Sequence, residues 1–95
     1  MATLSDDELA SALGDLPGWE QSEGQITKQY SLDGFPAAVA FVVRISYEAE
    51  KADHHPDLDI RYNKVRVALS THSEGGITAK DVDLARTIEG VAPPG

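Results

Sequence analysis

The sequence predicts an α+β fold: a two-layer sandwich in which an antiparallel-rich sheet of about four strands carries three helices on one face, in the order α-β-β-α-β-β-α. Three observations predict it. Ser5-Asp6-Asp7-Glu8 and Thr78-Ala79-Lys80-Asp81 each place a hydroxyl residue three positions before a carboxylate, so a helix opens near each end of the chain. From Leu58 to Leu69 apolar and polar residues alternate in steps of two, the pattern of strands buried on one face. The stretch from Pro36 to about Lys51 is too long for an ordinary strand and lies between two strand pairs.

The first helix starts after Ser5, with Leu4 and Leu9 at the two ends of a hydrophobic staple, and Gly14 and Pro17 end it. A brief strand at Trp19 to Gln21 and a longer one at Ile26 to Leu32 follow, with Ser22-Glu23-Gly24 as the turn. Ile26, Lys28, Tyr30 and Leu32 share one face of the second strand. Pro36 suits the first turn of a helix, and Phe35, Val39, Val42, Ser46 and Ala49 fall on one helical stripe, which is the expected inner face. Because His55 precedes a proline it is biased towards extended backbone, so this helix stops before it.

In the second hairpin, a two-residue loop at Asn63-Lys64 pairs Tyr62 with Val65, Ile60 with Val67 and Leu58 with Leu69. A slip of one residue would set apolar side chains opposite polar ones. Extended further, this register sets Pro56 opposite Thr71 and His55 opposite His72. Trp19 and Tyr62 are expected to pack in the core. Ser73-Glu74-Gly75-Gly76 reads as a flexible turn. Thr78 then caps the last helix, with Ile77 and Val82 as a second staple, Val82, Ala85 and Ile88 or Glu89 along one side, and a stop near Gly90. The tail from Val91 to Gly95 is expected to fray.

Ninety-five residues suit one domain spanning residues 1–95. A net charge of −8 argues against unassisted nucleic-acid binding, which needs clustered Lys and Arg. No apolar run approaches the roughly 20 residues that cross a bilayer. Without cysteine there is no disulfide framework, thiolate nucleophile or Cys-containing zinc site. The first residues lack the basic start and apolar core of a signal peptide, so a cytoplasmic enzyme or binding protein is expected. Open sheet edges invite self-association, and an oligomer is expected.

Function points to Glu50-Lys51-Ala52-Asp53-His54-His55-Pro56, which holds two of the three histidines, with His72 brought alongside by the hairpin. Imidazoles accept and donate protons near neutral pH, so two or three around one substrate can act as acid and base in one step. Loss of a hydroxyl from a carbon next to an N–H suits such a pair, and it requires neither metal nor redox cofactor. Blander readings stand beside this one. Asp81 is explained fully as a helix cap, Glu50 and Lys51 as a solvated helix end, and single histidines are commonly structural. A metal site is disfavoured because adjacent His54 and His55 diverge on an extended backbone.

The pattern Glu50-x3-His54-His55-Pro56-x5-Tyr62-x9-His72-x8-Asp81 resembles the pterin-4a-carbinolamine dehydratase family at every motif position. The resemblance runs from about Trp19 through the final helix and includes Ser70-Thr71-His72-Ser73-Glu74-Gly75-Gly76. It implies dehydration of 4a-hydroxytetrahydropterin to quinonoid dihydropterin, in tetrahydropterin recycling after aromatic amino acid hydroxylation. It also implies a homodimer or homotetramer, a functional link to an aromatic amino acid hydroxylase, no cofactor besides the pterin substrate, and no metal. Carried over by position, His54, His55 and His72 are the catalytic and pterin-binding histidines. Asp53, Pro56, Thr71, Ser73 and Glu74 line the pocket, and Glu50 and Asp81 orient imidazoles. Leu58 departs from the family, where an aromatic residue is common. Some members use the fold as a dimerisation or assembly cofactor, so a non-enzymatic interaction protein is the alternative.

Overall fold

A computed structural model describes residues 2–93. The expected fraying of the tail concerns Pro94 and Gly95 as well, and these lie outside the described residues. Helix α1, Asp6–Gly14, opens on the capping box: Ser5 Oγ accepts the Glu8 N–H at 3.1 Å and Glu8 Oε1 accepts the Ser5 N–H at 2.8 Å. Helix α2 is Phe35–Ala52 and helix α3 is Ala79–Val91. Strands β1 (Glu20–Ser22), β2 (Gln25–Ser31), β3 (Asp57–Arg61) and β4 (Lys64–Leu69) form one antiparallel sheet in the order β1-β2-β4-β3. The α+β architecture is therefore the expected one. The first strand pair starts or stops one residue away from the expected bounds, because Glu23 and Gly24 alone make the turn, both with positive φ.

Ile26, Tyr30, Val65, Val67 and Leu69 are buried on the helical side, where they meet Phe41, Ile45 and Ala49 of α2 and Val82, Leu84, Ala85 and Ile88 of α3. Lys28 shares the inward face of β2 yet keeps its charge satisfied. Its ammonium donates to the Pro17 carbonyl at 2.8 Å and to Glu89 Oε1 at 2.6 Å, and lies over the Tyr30 ring. Gly18 beside it has a φ of 82°, a conformation that favours glycine, and a Cβ there would also push the end of the Lys28 side chain aside, with Cε only 2.9 Å away. The same Glu89 oxygen accepts from Tyr30 Oη at 2.6 Å and from buried Trp19 Nε1 at 3.0 Å. Burial alone would raise the Glu89 carboxyl, but the hydrogen bonds from Lys28, Tyr30 and Trp19 outweigh it and hold it below its ordinary value. The Tyr30 hydroxyl is pushed up, first by burial and then by the Glu89 carboxylate.

Three expectations are corrected. The inner stripe of α2 is Ala38, Phe41, Ile45 and Ala49, whereas Phe35 and Val39 of the expected stripe are exposed and so is Ser46. Valines lie on both sides of this helix, so two apolar stripes overlap and the residue spacing does not choose between them. In the second hairpin the loop is Tyr62-Asn63, and Leu58 pairs with Val67 and Ile60 with Val65. The register is thus two residues from the expected one, and His55 does not stand opposite His72. A two-residue slip keeps every side chain on its face, so alternation cannot exclude it. Tyr62, at the loop tip with φ of 53°, is 72% exposed and is no core residue. Among the described residues, no helix is long and apolar enough to cross a membrane.

Candidate active site

The histidine pair is placed by the way α2 ends. Asp53 adopts the left-handed conformation, with φ of 50° and ψ of 44°. The His54 N–H then returns to the Ala49 carbonyl and the Asp53 N–H to the Glu50 carbonyl, both at 3.1 Å. These two bonds form a Schellman motif, which satisfies carbonyls that a helix end otherwise leaves open. A left-handed residue with a side chain costs about 1–2 kcal/mol, and aspartate is among the few types that adopt this conformation readily. The reversal turns His54 inwards while Pro56 carries His55 out along the start of β3.

His54 is 12% exposed at its side chain, and its Nε2 lies 2.5 Å from Oδ1 of fully buried Asp81. Asp81 Oδ2 accepts the Thr78 N–H at 2.9 Å and the Thr71 hydroxyl at 2.8 Å. Because the single Thr71 proton goes to Asp81, the 2.8 Å contact between the two threonine hydroxyls has Thr78 as donor. Thr78 Oγ1 in turn accepts the Lys80 N–H at 3.2 Å. Asp81 is thus a pure acceptor, and His54 must donate Nε2–H to it. The tautomer follows: Nδ1 of neutral His54 carries no proton and is available to take one.

His55 holds the corresponding bond on the outside. Its Nε2–H donates to Glu50 Oε1 at 2.6 Å, one helical turn back, with 61% of the histidine side chain exposed. His72 opens a 3-10 turn, His72–Glu74, which is held by Glu74 N–H to the Thr71 carbonyl at 3.0 Å and Gly75 N–H to the His72 carbonyl at 3.1 Å. The expected loose loop is therefore a hydrogen-bonded turn, clamped at its base by the Thr71–Gly76 bridge. The His72 imidazole has no hydrogen-bond or ion-pair partner among the described residues.

All three histidines line one hollow of about 300 Å³, together with Asp53, Thr71 and Ser73. This is the lower end of the usual size range of small-ligand sites. Pro56 and Glu74, also expected at the pocket, stand next to it in sequence and are not among its lining residues. Glu50 and Asp81 each meet one imidazole, His55 and His54 respectively. Ser70 and Lys80 complete the wall and were not anticipated. Lys80 directly precedes Asp81 in the first turn of α3, which is the signal that would have found it. Among the described residues, no group of three or more His, Asp and Glu is arranged to hold a metal ion.

Comparison with known proteins bears on nearly the whole chain. The family model described as pterin 4 alpha carbinolamine dehydratase matches residues 2–91. A Roseiflexus castenholzii protein provisionally named pterin-4-alpha-carbinolamine dehydratase is 51% identical over 88 residues, covering 93% of this chain and 95% of its own. A Herpetosiphon aurantiacus protein with the same provisional name is 54% identical over 89 residues, covering 94% and 93%. The crystal structure of a transcriptional coactivator/pterin dehydratase from Brucella melitensis superposes with a TM-score of 0.91 at 36% identity, covering 96% of this chain and 99% of that one. A pterin dehydratase-like RuBisCO assembly factor of the alpha-carboxysome shares the fold alone, with a TM-score of 0.68 at 15% identity over 82% of this chain and 93% of its own.

Proposed function

Because this chain belongs to the pterin-4a-carbinolamine dehydratase family, we propose that it is a hydro-lyase converting 4a-hydroxytetrahydropterin to quinonoid dihydropterin and water. The observation that carries the proposal is the convergence of three imidazoles on one small hollow, with one of them fixed in its tautomer by a buried carboxylate. The reaction moves two protons and oxidises nothing. An imidazolium protonates the 4a-hydroxyl and the C4a–O bond breaks with its electron pair leaving in water. A neutral imidazole takes the N5 proton, and the N–H bonding pair becomes the C4a=N5 double bond. One histidine ends neutral and the other charged, so a single proton exchange resets the site. Thr71, Ser73 and Asp53 offer hydrogen bonds to the heterocycle in this scheme, and Glu50 and Asp81 orient His55 and His54. Pro56 and Glu74 then act on the pocket from its border.

The test is stopped-flow decay of 4a-hydroxytetrahydropterin with the wild type and with His54→Ala, His55→Ala and His72→Ala. The wild type is expected to exceed the spontaneous rate, and at least two of the variants to lose about 100-fold or more, the usual worth of a positioned acid or base. Undiminished rates in all three would remove the histidines from the chemistry.

The active unit in this proposal is a homo-oligomer, supported by one feature of α2. Phe35, Val39, Val43 and Tyr47 are between 38% and 68% exposed and follow one another at intervals of four along its outer face. Large apolar side chains aligned in this way mark an interaction surface. The row reads aromatic, valine, valine, aromatic in either direction, as a two-fold interface requires. An antiparallel copy would set Val39 against Val43 of the partner subunit and Phe35 against Tyr47 of the partner subunit. The same row supports the second reading, a dimerisation or assembly cofactor without turnover, which a stoichiometric partner protein together with no dehydration above background would favour. A link to an aromatic amino acid hydroxylase follows from the enzyme reading, since that reaction class supplies the carbinolamine.

A further inference from the structure

We propose that a second hollow beside the histidines receives the substituent that the substrate carries at C6 of the pterin ring, and that Lys80 there selects substituents bearing a negative charge. The inference rests on reading the histidine hollow as a pterin-carbinolamine site. The second hollow, of about 330 Å³, lies between the last turns of α2 and the first turns of α3, among Glu48, Lys51, Lys80, Asp83 and Thr87. It shares His54 and Lys80 with the histidine hollow, so the two are neighbours with His54 and Lys80 on their common border.

The chemistry of the ring gives this adjacency a use. C4a, N5 and C6 are consecutive ring atoms. When imidazoles reach both the 4a-hydroxyl and N5, the C6 substituent begins one bond beyond N5 and must leave past one of those imidazoles. Of the three histidines, only His54 lines both hollows. The walls of the second hollow combine apolar Ala52 and Leu84 with charged Glu48, Lys51, Lys80 and Asp83.

The charges do not cancel evenly. Glu48 is offset by Lys51 at 3.4 Å and Asp83 by Arg86 at 3.4 Å. The Lys80 ammonium has no partner among the described residues, since only its backbone N–H is engaged, with Thr78. In a chain of net charge −8, that is an uncompensated cation in the wall of a cavity. An anionic group at the end of a C6 substituent is its complement, whether a carboxylate or a phosphate ester.

Binding of three 7,8-dihydropterins that share the ring tests this: one with a C6 methyl, one with a carboxylate-bearing C6 chain and one with a phosphate ester at C6. Dissociation constants are measured by calorimetry with the wild type, Lys80→Gln and Lys80→Arg, at low and at high salt. At least one anionic probe is expected to bind the wild type about three- to fivefold tighter than the methyl probe, as suits a partly exposed ion pair. That advantage should fall to about one in Lys80→Gln, survive in Lys80→Arg and shrink as salt rises. The tighter of the two anionic probes names the anion. Neither anionic probe binding tighter than methyl, or an advantage that persists in Lys80→Gln or at high salt, would overturn the inference. The salt series on the wild type decides the matter even if a variant misfolds. Failure of the methyl probe to bind at all would instead count against the pterin reading itself.

Discussion

Asp81 uses one oxygen to close a helix and the other to hold an imidazole. The consequence is testable because asparagine can do the first and not the second. In Asp81→Asn the amide oxygen takes the place of Oδ2, which two donors require, so the amide nitrogen faces His54 and donates to Nε2. The imidazole must then carry its proton on Nδ1, where a free lone pair is needed. The expected result is a fall in kcat of about 100-fold or more with the fold retained, by the logic that governs a carboxylate-oriented catalytic histidine. Dehydration rates beside a thermal melt check it. A variant as active as the wild type would show that the tautomer is irrelevant. The capping role of Asp81 was legible in Thr78-x-x-Asp81, but its link to an imidazole only through the family resemblance: His54 is 27 positions away, and nothing local predicts the Schellman turn that aims it.

At the scale of elements, the two capping boxes were readable because each depends on residues within a few positions of one another. The hairpin register was not, because its determinant is the left-handed Tyr62, a conformation that residue type does not announce. The three histidines still meet at one hollow, although by a different route: His72 arrives on a 3-10 turn beyond β4 and not across a ladder pair. Helix α3 is also tied to the sheet by Glu89, whose single oxygen joins Trp19, Lys28 and Tyr30. A carboxyl held below its ordinary value stabilises the fold fully above the unfolded pKa of about 4.3, and that contribution disappears as pH falls through the lower folded value. Glu89→Gln is therefore expected to cost about 1–2 kcal/mol at pH 7, the difference between charge-assisted and neutral hydrogen bonds. The gap between variant and wild type should narrow below about pH 4. Urea unfolding at pH 7 and pH 3 measures it, and a gap of the same size at both would assign the effect to packing alone.

For the whole molecule, the outer row of α2 and the unpaired edges of β1 and β3 are competing surfaces for self-association. The edges are legible in the strand pattern, whereas the α2 row is not, because two of its four members, Phe35 and Val39, fall on the stripe expected to face inwards. Light scattering on Val39→Glu/Val43→Glu separates the two surfaces. The wild type is expected to be oligomeric and the double variant of lower mass. A variant of unchanged mass would assign assembly to the strand edges.

The measurement closest to the chemistry is a double-mutant cycle on dehydration of the carbinolamine, using His54→Ala, His72→Ala and both together. If imidazoles from the end of α2 and from the turn after β4 serve one transition state, the double variant should lose far less than the product of the two single losses. Losses that multiply, or a rate that neither substitution changes, would mean that the two histidines do not act as one unit in the transition state.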